Sequence, residues 1–389
     1  MASTSPPVGQ SAPPATFGVR MQQFWRRVTE GLEISQLWSQ FESETKASYR
    51  LYSKDVQAKT PDGLTHRGRH LHVIKEFFWA VLEKLSPARR VLLLAALILM
   101  VIPQGGFTHN GKVYAVEFNF HFWAALLLFV LLMLEIADRV VMKRDLQIAR
   151  EIQTWLLPGA PPQIPGLALA YATRPANTVA GDYYDVFPRP GKTRDDDRVV
   201  FAVADVAGKS IPAAILMATF QASLKTLSTA QVALPELVAN MNRYACSNSQ
   251  GGLRFTTAFL AEYDSVRRVF TYINAGHNHP VLRRSDGMIE RLDAGGLPLG
   301  IQPEATYQSA SVTLSPGDWL VIFTDGLVEA VNARDEDYGE SRLLNAIQAG
   351  ATATPADLLK RLMADLDLFV GTTPQHDDVT CMLLKATPQ

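Results

Sequence analysis

The chain has 389 residues, which at roughly 100–200 residues per domain predicts two or three structural units. Its formal net charge is −1, with 19% charged and 47% hydrophobic residues, so the totals argue against a strongly basic nucleic-acid-binding protein and against a disordered acidic chain. The two cysteines, Cys246 and Cys381, lie in no Cys/His cluster, which argues against a disulfide framework and a structural zinc site and indicates a reducing compartment.

The first 87 residues divide into a tail and a helical segment. Residues 1–20 are rich in Pro, Ser, Thr and Ala and lack the charged start and apolar run of a signal peptide, so we predict a disordered tail. Residues 21–87 mix aromatic and charged side chains at helical spacing, which predicts amphipathic cytoplasmic helices. These helices pack either on one another or on a partner or membrane surface, and the sequence leaves both interpretations open.

Two apolar runs predict a pair of transmembrane helices within residues 88–137. The uninterrupted runs, 91–102 and 122–134, are shorter than the about 20 residues of a spanning helix, but both extend through flanks with few polar side chains. Arginine and lysine cluster outside the two runs and not in the loop between them, which places both ends in the cytoplasm. We therefore expect a multi-pass protein of the cell (inner) membrane; the alternative is a buried hairpin in a soluble regulatory domain.

Residues 138–157 predict a linker helix, because apolar side chains recur among charges until Pro158 ends the pattern. Such a helix either carries a conformational signal into the following domain or is an inert spacer. Its apolar stripe also motivates the hypothesis that the chain forms a homodimer through this helix.

Residues 158–389 predict an α+β domain. Many of the predicted strands follow one another directly and the predicted helices come in pairs, which favours an antiparallel β-sandwich flanked by helices, in the layer order α/β/β/α. The predicted strands are residues 199–204, 256–263, 269–275, 319–323 and 379–384, and the predicted helices are residues 213–228, 235–246, 341–350 and 355–369.

Aspartates with glycine neighbours are the informative feature of this domain. They fall at four strand edges or turns and include Asp182, Asp205, Asp325 and Asp377. A single Asp beside Gly is usually a turn residue, since Asp caps its own backbone and Gly accepts positive φ. Four such sites without His or Cys alongside suit a hard, oxygen-liganded cation such as Mg²⁺ or Mn²⁺. Two such ions would clamp a phosphate and lower the pKa of a bridging water.

Taken together, these strings resemble the SpoIIE/RsbU-type bacterial serine phosphatases, which belong to the metal-dependent PPM class. The resemblance extends over about residues 146–384, in the order and spacing of the family. The matching strings are Leu156-Leu157-Pro158, Arg174-Pro175-Ala176, Ala180 to Asp185, Asp205 to Lys209, Pro212-Ala213-Ala214, Asn274 to Asn278, Leu297 to Gly300, Thr324 to Leu327 with Glu329, and Asp377 to Thr380.

The resemblance implies a PPM-like fold, two Mn²⁺ or Mg²⁺ ions and a role for each matching residue. Asp182 and Asp205 match the acids that bind the metal pair, with the Val206 carbonyl as a backbone ligand. Asp325 and Asp377 match the acids that complete the second coordination sphere. These four aspartates are accordingly the catalytic and metal-binding residues that we expect.

Each of the remaining candidate site residues has a structural interpretation as well as a functional one. Arg174 suits bidentate binding of a substrate phosphate, although a surface ion pair fits equally well. His277 suits a general acid, but a turn-capping role is the simpler interpretation. Asp185 and Asp378 fit a turn or hydrogen-bond acceptor role better than a metal-ligand role.

The predicted function is that of a membrane-anchored protein serine/threonine phosphatase without a phosphoenzyme intermediate, acting through metal-activated water. The resemblance implies a phosphorylated regulatory protein as its substrate, such as a STAS-domain anti-sigma-factor antagonist. We expect no nucleic-acid partner. The alternative is a catalytically silent membrane scaffold that uses the phosphatase fold to bind a partner; the four intact acids argue against it.

Overall fold

The structure, a computed structural model, describes residues 78–79, 82–102, 107–109, 112–114, 119–191, 198–249 and 254–388. The chain divides into two compact units, residues 1–137 and 138–389. The predicted tail and most of the predicted amphipathic segment lie outside the described residues.

Among its described residues, the N-terminal unit contains two long apolar helices and a short hairpin between them. Helix α1 spans Pro87–Val101 and begins with proline in its first turn, where the missing backbone N–H costs no helical hydrogen bond. Strands β1 (Phe107–His109) and β2 (Lys112–Tyr114) pair antiparallel. Helix α2, Phe120–Leu156, has 37 residues; it starts in this unit and continues into the next.

The predicted transmembrane hairpin is not confirmed, although one helix is compatible with a membrane span. Within the described residues, α2 alone is long and apolar enough to cross a membrane, judged by length and composition. Helix α1 has only 15 residues, which is short for a bilayer span. The predicted linker, by contrast, is continuous with the second apolar run, and α2 ends at Leu156, just before Pro158.

Two antiparallel sheets form the centre of the C-terminal unit, and all five predicted strands are present. The first sheet has the order β10-β7-β6-β5-β4, with β11 paired to β7, and only the short β10 runs parallel to its neighbour. The second sheet has the order β3-β13-β12-β8-β9. The strands are β3 Leu167–Arg174, β4 Tyr183–Arg189, β5 Arg198–Val206, β6 Thr256–Asp264, β7 Val269–Ala275, β8 Val281–Arg283, β9 Ile289–Arg291, β10 Gly295–Gly296, β11 Ala310–Thr313, β12 Trp319–Phe323 and β13 Val379–Ala386.

Helices cover the outer face of each sheet, which gives the predicted α/β/β/α layers. Helices α3 (Ser210–Leu227) and α4 (Leu234–Ser247) pack on the first sheet. Helices α6 (Glu340–Ala349) and α7 (Pro355–Val370) pack on the second. A four-residue helix, α5 (Asp325–Val328), follows β12 directly.

The hydrophobic core follows from the alternation of side chains along the strands. In β5, Phe201 and Val203 face the core between the two sheets, whereas Ala202 and Ala204 face the core beneath α3 and α4. Because both faces of this strand are buried, its sequence is a continuous apolar run that ends only at Asp205. The fold therefore places Asp205 at the position where β5 leaves the hydrophobic core.

Candidate active site

Asp182 and Asp205 lie side by side at one edge of the first sheet. Asp182 immediately precedes β4, and Asp205 is the penultimate residue of β5. The strands are antiparallel, with Tyr183 opposite Ala204, so the start of one strand meets the end of the other. The sequence predicted acids at strand ends, and the register of β4 and β5 explains why these two are neighbours.

The second sheet supplies Asp325 and Asp377 in the same way. Asp325 is the first residue of α5 and is separated from the end of β12 by Thr324 alone. Asp377 lies two residues before β13, which is the antiparallel partner of β12. Gly326 permits the close approach of the two segments, because a Cβ at this position would lie 2.0 Å from the Asp378 carbonyl oxygen. Any larger residue at position 326 would force the two acids apart.

Thr324 connects the two sheets through its buried hydroxyl group. Its Oγ1 accepts a hydrogen bond from the Thr380 backbone N–H (2.9 Å) and donates one to Asp182 Oδ2 (2.9 Å). The sequence alone did not indicate a functional role for Thr324. Its place immediately before Asp325 in a matching string was the signal that could have drawn attention to it.

Asp378 and Asp185 have structural roles in this fold. The Asp378 carboxylate accepts hydrogen bonds from the backbone N–H groups of Ala176 (2.7 Å) and Gly181 (2.6 Å), so it holds the segment that carries Asp182. Asp185 is buried in an ion pair with Lys225 of α3 (2.7 Å). Both observations agree with the acceptor role predicted for these two aspartates.

The acids raise one another's pKa values. Burial and the nearby charges of Asp325 and Asp377 raise the pKa of Asp205 to about 7. Burial and Asp205 raise the pKa of Asp182 well above its usual range, and burial and Asp377 raise the pKa of Asp325. Like charges in a low-dielectric environment disfavour simultaneous ionisation of the clustered aspartates. Binding of a cation at this edge of the sandwich is therefore favourable.

The chemistry of the donor set fits divalent Mg²⁺ or Mn²⁺, since all the candidate ligands are oxygen atoms. The glycine at position 181 also keeps the Val206 carbonyl oxygen accessible, because a Cβ on Gly181 would lie 3.2 Å from this oxygen and would crowd it. No three His, Cys, Asp or Glu side chains among the described residues form a preformed ion site. The acids therefore lie in one region, but no three of their side chains surround a common position for an ion.

A cleft of about 500 Å³ adjoins the acids and contains Arg174. Arg174 forms an ion pair with Asp367 of α7, and its buried Nε has no hydrogen-bond partner among the described residues. Lys209 also lines this cleft, with its Nζ 3.0 Å from Asp377 Oδ2. The fold thus brings the predicted phosphate-binding arginine into the same cleft as one of the acids.

His277 is buried, whereas His279 of the same turn is exposed. The Asn274 side-chain oxygen accepts a hydrogen bond from the His277 backbone N–H (2.7 Å), which is the turn arrangement that the sequence predicted. Burial lowers the pKa of His277 to about 4, so the imidazole is neutral near pH 7. A buried, neutral imidazole is poorly suited to be a general acid.

Gln153, near the end of α2, contacts the segment before Asp182. Its side-chain Nε2 donates to the Ala180 carbonyl oxygen (2.7 Å), and its Oε1 accepts from the Ala180 backbone N–H (2.9 Å). Both partners are buried, so the linker helix is fixed to the backbone two residues from Asp182. Sequence analysis assigned no role to this residue.

The chain is similar to a known family and to known proteins. The family described as Stage II sporulation protein E (SpoIIE) matches residues 195–387. Phosphoserine phosphatase RsbU of Bacillus subtilis (strain 168) is 30% identical over 246 residues, which are 62% of this chain and 70% of RsbU. Phosphoserine phosphatase RsbP of the same organism is 24% identical over 245 residues, which are 62% of this chain and 57% of RsbP.

A solved structure, the SiaA-PP2C domain of Pseudomonas aeruginosa, shows the same fold. Its TM-score is 0.54 at 19% sequence identity, over 64% of this chain and 98% of that domain. The fold, the placement of the acids and the match to RsbU lead to one conclusion. The chain belongs to the SpoIIE/RsbU-type family of PPM protein serine/threonine phosphatases.

Proposed function

We propose that this protein is a membrane-anchored phosphatase that hydrolyses phosphoserine or phosphothreonine in a regulatory protein, with two Mn²⁺ or Mg²⁺ ions as cofactors. The observation that carries the proposal is the meeting of four aspartates from both sheets at one edge of the sandwich. RsbU and RsbP are phosphoserine phosphatases, which supports a phosphoserine substrate.

Asp182, Asp205, Asp325 and Asp377 would hold the ions, together with the Val206 carbonyl oxygen. When bound, divalent cations lower the pKa of water and offset the negative charge of a phosphate group. The protein's own contribution is positional, because Thr324 fixes the Asp182 carboxylate and Asp378 fixes the backbone before it.

Arg174 would bind the phosphate of the substrate. Its guanidinium group faces the cleft beside Asp377, and guanidinium binds phosphate oxygens through two parallel hydrogen bonds. Its ion pair with Asp367 is partly exposed, so exchange of this partner for a phosphate costs little.

The decisive experiment measures phosphate release from a phosphoserine peptide by the full-length protein. We expect turnover with Mn²⁺, loss of turnover with chelator, and a loss of at least about 100-fold for Asp325→Asn, because electrostatic groups at a reacting phosphate contribute several kcal/mol. Asp335→Asn is the matched control, since Asp335 is exposed and Asparagine keeps its shape. A folded protein that binds Mn²⁺ without turnover would support the silent scaffold instead.

The substrate class is tested with the same assay. We propose a phosphorylated STAS-domain anti-sigma-factor antagonist as the partner, on the strength of the family resemblance. The protein should release phosphate from such a phosphoprotein faster than from an unrelated phosphoprotein at equal concentration. Equal rates would contradict the proposed substrate class but not the proposed phosphatase activity.

Exposed apolar side chains support membrane anchoring through α1 and α2. Val91 of α1 is 67% exposed and Phe122 of α2 is 59% exposed, and the most apolar stretch of α2 is only 6% buried. Exposure of this much apolar surface to water is unfavourable by about 25 cal/mol per Å², whereas a bilayer would cover it.

An ion pair also supports a hairpin arrangement of the two helices. Arg89, at the start of α1, pairs with Glu135 of α2 at 3.3 Å. This contact lies at the end of the hairpin that we propose to face the cytoplasm. The protein should sediment with membranes and resist extraction by high salt; release by salt alone would overturn the membrane span.

We also propose a homodimer through the part of α2 that follows the membrane segment. Val140, Ile148, Ile152 and Trp155 are exposed there, and Trp155 is 80% exposed. A second copy of the helix is a suitable partner for such a stripe. Sedimentation equilibrium in detergent should detect a dimer, and a monomer at all concentrations would exclude it.

A further inference from the structure

Lys209 directly precedes α3, in the turn that follows β5 and Asp205. Its backbone is extended, with φ −134°, whereas Gly208 and Ser210 on either side have positive φ values of 114° and 63°. Positive φ is uncommon for serine, and such backbone conformations persist where the surrounding structure enforces them, often at functional sites. The turn of residues 208–210 therefore holds Lys209 at the edge of the sandwich that carries the acids.

The side chain of Lys209 reaches the loop before β13. Its Nζ donates a hydrogen bond to the His376 carbonyl oxygen (2.5 Å) and lies 3.0 Å from Asp377 Oδ2. Lys209 follows a strand of the first sheet, whereas His376 and Asp377 lead into a strand of the second sheet. The ammonium group is thereby placed where the acids of the two sheets meet.

Arg174, the last residue of β3, contacts the same loop. Gln375 Nε2 donates hydrogen bonds to the Arg174 carbonyl oxygen (2.8 Å) and to the Asp377 carbonyl oxygen (2.7 Å). The loop of residues 375–377 therefore contacts Arg174 on one element and Lys209 on another. Both side chains line the cleft of about 500 Å³ beside the acids. The fold thus brings two cationic side chains to one cleft.

The charges of this cleft call for more than one cationic side chain if a phosphate group is to bind. Glu329, Asp367 and Asp377 line the cleft together with Arg174 and Lys209. The carboxylates repel a phosphate dianion, and one guanidinium group does not offset three of them. Among the described residues, Lys209 is the other arginine or lysine that lines the cleft.

We infer that Lys209 is a second phosphate-binding residue, which contacts the phosphoserine group of the substrate together with Arg174. Its side chain is 54% exposed and that of its partner Asp377 is 47% exposed. An ion pair this exposed contributes little to stability, so the flexible lysine readily exchanges Asp377 for a phosphate oxygen. The ammonium group has three donors, so the contact with the His376 carbonyl oxygen is compatible with this exchange. This inference rests on the proposed phosphatase function.

The test combines kinetics with a direct binding measurement on the full-length protein in detergent. The KM and kcat are measured with a phosphoserine peptide, and the affinity of the Mg²⁺-loaded protein for inorganic phosphate is measured by calorimetry. Lys209→Met removes the charge and keeps an unbranched side chain, whereas Lys209→Arg keeps the charge. Lys360→Met is the matched control, because Lys360 is exposed on α7 and lies outside the cleft. Mg²⁺ affinity and melting temperature are recorded for every variant.

We expect Lys209→Met to raise KM and to weaken phosphate binding about 10-fold, which is the loss typical of a hydrogen bond to a charged group. The kcat should change less than KM, because the contact is made with the bound substrate as well as in the transition state. Lys209→Arg should stay within about 3-fold of the wild type in both quantities, since the positive charge is retained. Lys360→Met should behave like the wild type.

Two results would overturn the inference. Unchanged KM and phosphate affinity in Lys209→Met would leave Lys209 as an ion-pair partner of Asp377. A changed Mg²⁺ affinity with unchanged phosphate affinity would assign its charge to the metal site instead.

The proposed function has a separate readout. A wild-type protein that releases no phosphate from the peptide would contradict the proposed phosphatase activity. The calorimetric comparison of wild type and Lys209→Met would still decide the inference, since it needs no turnover; absence of phosphate binding by the wild type would overturn it.

Discussion

At the scale of single residues, the site is built from carboxylates that oppose one another's ionisation. Asp205 illustrates this, because burial and neighbouring acids raise its pKa to about 7, whereas its pKa in an unfolded chain is near 3.8. The folded protein therefore binds a proton more tightly than the unfolded chain. Protonation of the Asp205 carboxyl group therefore stabilises the folded protein at low pH. This stabilisation is lost as the pH rises from about 4 to about 7.

Asp205→Asn should therefore stabilise the metal-free protein at high pH. The amide keeps the shape of the carboxyl group and carries no charge, and each unit of raised pKa corresponds to about 1.4 kcal/mol. In the presence of chelator we expect the variant to exceed the wild type by about 2–4 kcal/mol at pH 8, and by less at pH 5. Denaturant unfolding at the two pH values measures this difference; an equal difference at both values would contradict the assignment.

His277 does not disturb this comparison. Its lowered pKa acts in the opposite direction, since the unfolded chain binds more protons than the folded protein between about pH 4 and pH 6.5. Both proteins contain His277, so its contribution cancels in the difference between wild type and Asp205→Asn.

Thr324→Val should reduce both stability and activity. Removal of the hydroxyl group leaves the buried Thr380 N–H without its acceptor and removes the hydrogen bond from Thr324 to Asp182. An unsatisfied buried polar group costs about 1–3 kcal/mol, and misplacement of Asp182 should lower kcat about 10-fold or more. Thr324→Ser keeps the hydroxyl group and should retain most of the activity; equal activity of the two variants would show that the hydroxyl group is unimportant.

At the scale of elements, the long helix α2 is the clearest connection between the apolar N-terminal segment and the site. Gln153 makes two hydrogen bonds to Ala180, so an axial movement or rotation of α2 would pull on the backbone two residues before Asp182. This contact favours signal transmission over the inert-spacer interpretation of the linker helix.

Gln153→Leu should therefore lower phosphatase activity without abolishing the fold. Leucine fills a similar volume but leaves both backbone groups of Ala180 without partners, at a cost of about 1–3 kcal/mol for each buried group. We expect a fall in kcat of about 5-fold or more, measured by phosphate release. Gln147→Leu, at an exposed position of the same helix, is the control; unchanged kcat in Gln153→Leu would leave α2 as a spacer.

At the scale of the whole molecule, the two sheets meet at a common edge and each supplies two of the four acids. A cation held by both sheets would bind the folded protein and not the unfolded chain. Mn²⁺ should therefore stabilise the protein by about 2.7 kcal/mol at a concentration 100 times its Kd. Calorimetry with and without Mn²⁺ measures this effect, and Asp325→Asn should reduce it; equal melting temperatures would contradict a shared site.

Several features of the fold could be predicted from the sequence because their causes are local. The apolar runs 199–204 in β5 and 319–323 in β12 are uninterrupted because both faces of these strands are buried. The first run ends next to Asp205, and the second ends one residue before Asp325 is reached, at Thr324. Pro158 marked the end of α2 because proline cannot continue a helix. The strands β3 and β4 were missed although they have eight and seven residues. The strands β8 to β11 were missed because segments of two to four residues carry too little periodicity to detect.

The sequence by itself determined the identity and order of the acids, the apolar segments and the likeness to a phosphatase family. The tertiary structure decided which side chains meet: Thr324 with Asp182, Gln153 with Ala180, and His277 with Thr257. These contacts join residues that are 142, 27 and 20 positions apart. They depend on strand register and on how the sheets and α2 pack, so no local pattern of residues encodes them.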